Sequence, residues 1–124
     1  MRNVAGAAVA DAACVLVFVA IGRSSHDEAA SVTGFLNTAW PFLAGALIGW
    51  LVVRAWRRPA ALVPSGVGVW IAAVAGGMLL RVISGQGTAV AFVIVATLFL
   101  GLVLLGWRAV AALVARRGNR TSTA

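Results

Sequence analysis

Four long apolar runs, parted by short polar or arginine-bearing breaks, take up almost the whole chain. The first occupies residues 4–21, with Asp11 as its one charge, and ends at Gly22-Arg23-Ser24-Ser25-His26. The second covers residues 34–56, the third 66–83 and the fourth 88–115. A helix needs about 20 apolar residues to cross ~30 Å of hydrocarbon, and each run has about that length or more. The pattern predicts an all-α, four-helix transmembrane bundle forming one domain over residues 1–115, followed by a basic polar tail at 116–124. At 1.5 Å per residue the fourth run would extend ~42 Å, so that helix must tilt or emerge from the bilayer.

The breaks set the boundaries. Ser24 to Ser31 is the most polar loop, and Thr33 could cap the helix that follows it. Arg54, Arg57, Arg58 and Pro59 end the second run, and residues 60–65 read as a linker containing Pro64. Ser84-Gly85-Gln86-Gly87-Thr88 reads as a tight turn, too short and without the lysine of a phosphate-binding loop. Pro41 interrupts the second run, with Asn37 and Thr38 just before it. Proline removes a helical N–H, so either the helix kinks there or the spanning part begins at Pro41.

Composition supports a lipid solvent. The 124 residues are 62% hydrophobic and 10% charged, with mean hydropathy +1.02, whereas a soluble domain carries about a quarter charged residues. The net charge of +7 comes entirely from arginine, against three acids. Because the arginines cluster at the ends of apolar runs, they indicate membrane orientation rather than nucleic-acid binding. Arg2, Arg54, Arg57, Arg58, Arg116, Arg117 and Arg120 fall on one side; Arg23 and Arg81 fall on the other with Asp27 and Glu28. The positive-inside rule then puts both termini in the cytoplasm. Arg without Lys, beside abundant Ala, Gly and Val, fits a GC-rich bacterial genome, and the expected location is the bacterial plasma (inner) membrane, as a multi-pass protein. Trp56, Trp70 and Trp107 are expected near the inner interface and Trp40 near the outer one, with Trp50 deeper as a packing residue. Cys14 is the single cysteine and reads as a small buried thiol. Asp11 inside the first run argues against a cleaved signal peptide.

Helix packing has a signature in Gly45 and Gly49, a GxxxG pair; Gly6 with Ala10, Ala73 with Gly77, and Thr97 with Gly101 are looser versions. These faces fit a compact bundle and equally a homo-oligomer or a membrane partner protein.

Candidate chemistry lies in the polar residues of the spans. Asp11 is nine residues after Arg2, ~13 Å along the helix, and Arg108 is eight before Arg116, ~12 Å. The two therefore reach a similar depth on helices that enter from the same side, which predicts an Asp11–Arg108 pair. An unpaired charge there costs several kcal/mol. The acid is then a structural clamp, a protonated carboxyl or a proton- or ion-coupled site. Arg23, His26, Asp27, Glu28, Arg81 and Gln86 form an outer polar cluster, in which Arg81 could snorkel toward an acid of the first loop. One histidine beside two adjacent acids is poor metal-site geometry. With His26 the sole base and no nucleophile elbow, no catalytic residue, cofactor or metal is assigned and an enzyme is not expected.

Several blocks carry a family resemblance: Asp11, Phe18 and Gly22-Arg23-Ser24-Ser25-His26; Thr38-Ala39-Trp40-Pro41-Phe42-Leu43-Ala44-Gly45 with Gly49-Trp50; Gly77-Met78-Leu79-Leu80-Arg81; Gly87-Thr88-Ala89 with Phe92; and Gly106-Trp107-Arg108. Together they resemble the uncharacterised bacterial and archaeal membrane family known as domain of unknown function 3054. That resemblance implies a small four-helix membrane protein and supplies no activity or site residues. Small multidrug-resistance transporters also have four helices and an acid in the first. They place a Glu there, and their wider pattern is not seen here. Small fluoride channels match in length but not in their Phe/Thr-rich track. The seven-to-two arginine bias also departs from the dual topology common in both classes. Two functions stay open: a small transporter or channel using the Asp–Arg pair, or a non-transporting accessory or scaffold protein.

Overall fold

The computed structural model describes residues 4–25, 32–86 and 90–123. Its helices are α1 (Val4–Ser25), α2 (Val32–Val53), α3 (Val67–Ile83) and α4 (Val90–Thr123), with no strand among the described residues. All four contain segments long and apolar enough to cross a membrane. At most 33% of any such segment is buried within the bundle. Many of the other positions face outward, as at Val52, 74% exposed, and Leu102, 73% exposed. Water would not tolerate an apolar surface of that extent, whereas hydrocarbon is its natural surround. The chain is a multi-pass membrane protein.

The helices run alternately up and down. Asp11 in the first half of α1 meets Trp50 near the end of α2 and Arg108 in the second half of α4. At the other end Arg81 of α3 lies over Phe92 of α4. The start of α1 and the end of α4 therefore lie at one end of the bundle. Phe18, Phe42, Phe92 and Phe99 fill the half away from Asp11, with Phe18 edge-on to Phe42 at 5.4 Å between ring centroids. Val15, Leu100 and Leu104, all fully buried, lead from that cluster toward Arg108.

Close backbone approach joins α2 to α3. A Cβ on Gly45 would sit 2.7 Å from the Ala72 carbonyl oxygen and 3.0 Å from the Gly77 nitrogen, and one on Gly49 would sit 3.0 Å from Val69 Cα. The pair lets two backbones touch along a face. Gly101 does something different: it leaves room for the indole of Trp70, whose Nε1 donates to the Thr97 carbonyl at 2.9 Å. That carbonyl lies well inside α4, so Trp70 ties α3 to α4 and is not the interface anchor that its sequence position suggested. Trp40 and Trp56 are the outward-facing tryptophans.

Helix limits differ from the apolar runs in three places. First, α1 continues through Arg23 to Ser25. Second, α2 stops at Val53 rather than Trp56, because Arg54 adopts a left-handed φ of 52° and a short 3-10 turn, Ala55–Arg57, follows. Third, α4 does not give way to a tail at Arg116 but stays helical to Thr123. Nor does the chain break at Pro41: α2 is one helix from Val32 to Val53, with Pro41 inside it and fully buried.

Candidate functional site

The Asp11 carboxylate is the centre of the polar interior. Only 2% of the residue is exposed, and Arg108 is wholly buried. Arg108 grips the carboxylate with both terminal nitrogens, one donating to Oδ1 at 2.8 Å and the other to Oδ2 at 2.7 Å. Two indoles complete the shell: Trp107 Nε1 donates to Oδ1 at 2.9 Å and Trp50 Nε1 to Oδ2 at 2.8 Å. Each carboxylate oxygen thus accepts two hydrogen bonds, one of them in a charge-assisted, two-pronged arrangement. The guanidinium is also occupied. Its Nε donates to the Pro59 carbonyl at 2.9 Å, one terminal nitrogen donates to the Leu104 carbonyl at 3.1 Å, and its carbon lies 4.4 Å from the Trp107 ring centroid. Among the described residues no buried side-chain nitrogen or oxygen lacks a partner.

Local sequence explains how these groups meet. Asp11 is one helical turn from Ala7 and from Val15, both buried, so it lies on the inward face of α1. Arg108 follows Leu100 and Leu104 at intervals of four on the inward face of α4. Trp50, directly after Gly49, reaches Asp11 from the α2 segment that Gly45 and Gly49 hold against α3. The α2–α3 connection supplies the roof. Its Ala55, Pro59, Ser65 and Gly66 are buried, Ser65 Oγ donates to the Arg58 carbonyl at 2.6 Å, and Gly66 N donates to the Ala61 carbonyl at 2.9 Å. A Cβ on Gly66 would come 2.9 Å from Arg108 Cδ. Residues 60–65 are therefore not a plain linker. Pro59, Ser65 and Gly66, the buried residues of this stretch, pack it over the arginine.

A groove of about 270 Å³ opens beside this site between α1 and α2, with Asp11 and Trp50 in its wall. Its other lining is apolar: Ala8 and Ala12 on α1, and a stripe on α2 through Leu43, Leu47 and Leu51, with Trp56 at its end.

The outer polar residues form a second arrangement. Arg81 donates to Gln86 Oε1 at 3.0 Å, and Gln86 Nε2 donates to the Asn37 carbonyl at 3.2 Å. Pro41, four residues after Asn37, has no N–H to return to that carbonyl. The Gln86 amide takes its place, so the expected helix break and part of the outer cluster are one device. The α3 terminus aims it: Gly85, at φ +84°, ends the helix with Gln86 N bonded to the Arg81 carbonyl at 2.7 Å and Gly85 N to Val82 at 3.1 Å. Arg23 lies in the last turns of α1, and nothing is described of its side chain; His26, Asp27 and Glu28 lie outside the described residues. Gln86→Leu is expected to cost about 0.5–1 kcal/mol in otherwise native protein and clearly less in a Pro41→Ala background, where the helix supplies its own N–H. Equal losses in both backgrounds, measured by unfolding in detergent, would refute the link.

Sequence reasoning missed Trp50 and Trp107 as carboxylate donors, and Pro59 as an acceptor. The available signal was that a buried indole N–H needs a partner, and Asp11 was the one acid in the apolar spans.

The model of the family described as "Protein of unknown function (DUF3054)" matches residues 8–111, a stretch that includes Asp11, Trp50, Trp107 and Arg108. Among curated proteins and among solved structures, nothing matches.

Proposed function

The chain belongs to the DUF3054 family, and from that premise we propose that it is a non-enzymatic accessory or scaffold protein of the bacterial inner membrane, with both termini cytoplasmic. The saturated Asp11 carboxylate carries this reading. A proton- or ion-coupled acid must release its partners during each cycle, and here four donors from three side chains would have to be released together. A buried pair of that kind acts as a clamp: it joins α1, α2, α4 and the α2–α3 connection at one point. Orientation rests on the exposed Arg54, Arg57, Arg58, Arg116 and Arg117 at the end where α1 starts and α4 finishes.

The transporter reading has one observation in its favour, the groove that reaches Asp11. Reconstitution into liposomes with proton- and ion-sensitive dyes separates the two. The clamp predicts flux equal to that of empty liposomes under either direction of an imposed proton gradient, for wild type and Asp11→Asn alike. Wild-type flux above that of empty liposomes, lost in Asp11→Asn protein that keeps its cooperative unfolding transition, would establish the transporter instead. Co-purification of one membrane protein at fixed stoichiometry would support the scaffold.

A further inference from the structure

The groove between α1 and α2 has a shape and a charge pattern that point to one ligand. On α2, Leu43, Leu47 and Leu51 recur at intervals of four, so the slot follows the helix axis for ~12 Å. In a membrane-spanning bundle that axis lies close to the bilayer normal, the mean direction of an acyl chain. On α1 the facing wall carries Ala8 and Ala12, whose short side chains leave the space open. Asp11 adds no free charge to the wall, since its oxygens are held by Arg108, Trp50 and Trp107. A lipophilic cation, which an acid beside an apolar groove would otherwise suit, finds that carboxylate already taken.

The groove's Trp56 end is basic. Trp56 belongs to the turn that contains Arg54 and Arg57, both exposed and with no side-chain partner among the described residues. Among the described residues the one acid is Asp11, and it is committed to Arg108. An apolar slot that leads to two uncompensated cations complements an acyl chain that ends in a phosphate.

We propose that this groove is a binding site for one anionic phospholipid, with an acyl chain along Leu43, Leu47 and Leu51 and the phosphate at Arg54 and Arg57. The proposal rests on the membrane-spanning fold and on no statement about transport. It differs from general solvation by lipid in requiring a headgroup charge and a particular slot. Clusters of basic residues at membrane ends attract anionic lipid, each arginine contributing about a fivefold preference.

Native mass spectrometry tests this on the full chain, equilibrated in micelles with equal phosphatidylglycerol and phosphatidylethanolamine of matched acyl chains. The expected result is one retained phosphatidylglycerol per chain, favoured over phosphatidylethanolamine at least tenfold. Arg54→Gln and Arg57→Gln should each lower that preference about fivefold, while Arg116→Gln leaves it unchanged. Ala12→Leu, which fills the slot, should abolish retention; Ala8→Leu serves if that variant loses its cooperative unfolding transition. Equal retention of both lipids would overturn the proposal, as would an adduct that survives both filling variants. A dimer that those variants dissociate, with no lipid retained, would assign the groove to a second copy and overturn it too. Liposome flux can fail or succeed independently of all these outcomes.

Discussion

Replacing Asp11 with asparagine is expected to destabilise the protein by about 3–5 kcal/mol, the cost of leaving a buried charge without its counter-ion. The cause is the Arg108 guanidinium, which has no exposed surface and would keep only neutral acceptors, among them the Pro59 and Leu104 carbonyls. Asparagine offers one acceptor oxygen where four donors now converge, so at least one indole N–H loses its partner as well. Arg108→Met should be similarly severe, because it strands the carboxylate. The double variant Asp11→Leu with Arg108→Met should recover much of the loss, since apolar replacement of a whole buried pair is often near neutral. Recovery will be incomplete: Trp50 and Trp107 retain unmet N–H groups, at about 1–3 kcal/mol each. Unfolding of wild type, Asp11→Leu, Arg108→Met and their double variant in mixed detergent, followed by tryptophan fluorescence, gives the coupling energy. Additive single losses would mean that the pair does not act as a unit.

Gly45→Leu is expected to prevent α2 from docking on α3. Even the first added carbon would lie 2.7 Å from the Ala72 carbonyl oxygen, 3.0 Å from the Gly77 nitrogen and 3.1 Å from Ala73 Cα. All three are backbone atoms of one helix and cannot swing aside, so the axes must separate. Gly45→Ala should already cost about 1–3 kcal/mol, the range for overpacking a well-filled interior. The rest of the leucine would also displace α2 relative to α1, carrying Trp50 out of reach of Asp11. Gly106→Ala is the control. No atom lies within 4 Å of its added carbon, and alanine in a helix interior is favoured over glycine by about 0.5–1 kcal/mol. A Gly106→Ala protein no more stable than Gly45→Ala would mean that the α2–α3 contact does not limit stability.

Some of this was readable in the chain and some was not, for identifiable reasons. The four spans follow from run length. The Asp11–Arg108 pairing follows from depth, since rise per residue converts position to distance and both helices enter from one end. Depth does not give direction around the helix, so the two tryptophans beside that pair looked like packing and interface residues. Pro59 was invisible for a different reason: its contribution is a backbone carbonyl, which every residue carries. Pro41 did announce an orphaned carbonyl at Asn37, but the amide that meets it comes from a residue 49 positions away. Helix ends moved where local geometry overrode the apolar pattern, at Arg54 through its left-handed backbone, and at α4, which continues as one helix past the end of its apolar run.

The clamp also fixes an order of assembly. Asp11 and Arg108 are 97 positions apart, and chains grow at about 5–20 residues per second. For roughly 5–20 seconds the first helix therefore exists without the guanidinium it will hold. The α2–α3 connection, which carries the Pro59 carbonyl, is made midway through that interval. Only when the second half of α4 is made do carboxylate, indoles and carbonyl acquire their common partner. The last helix to be made locks the first, so a prematurely ended chain carries an acid with no partner, which would distinguish it from a finished one.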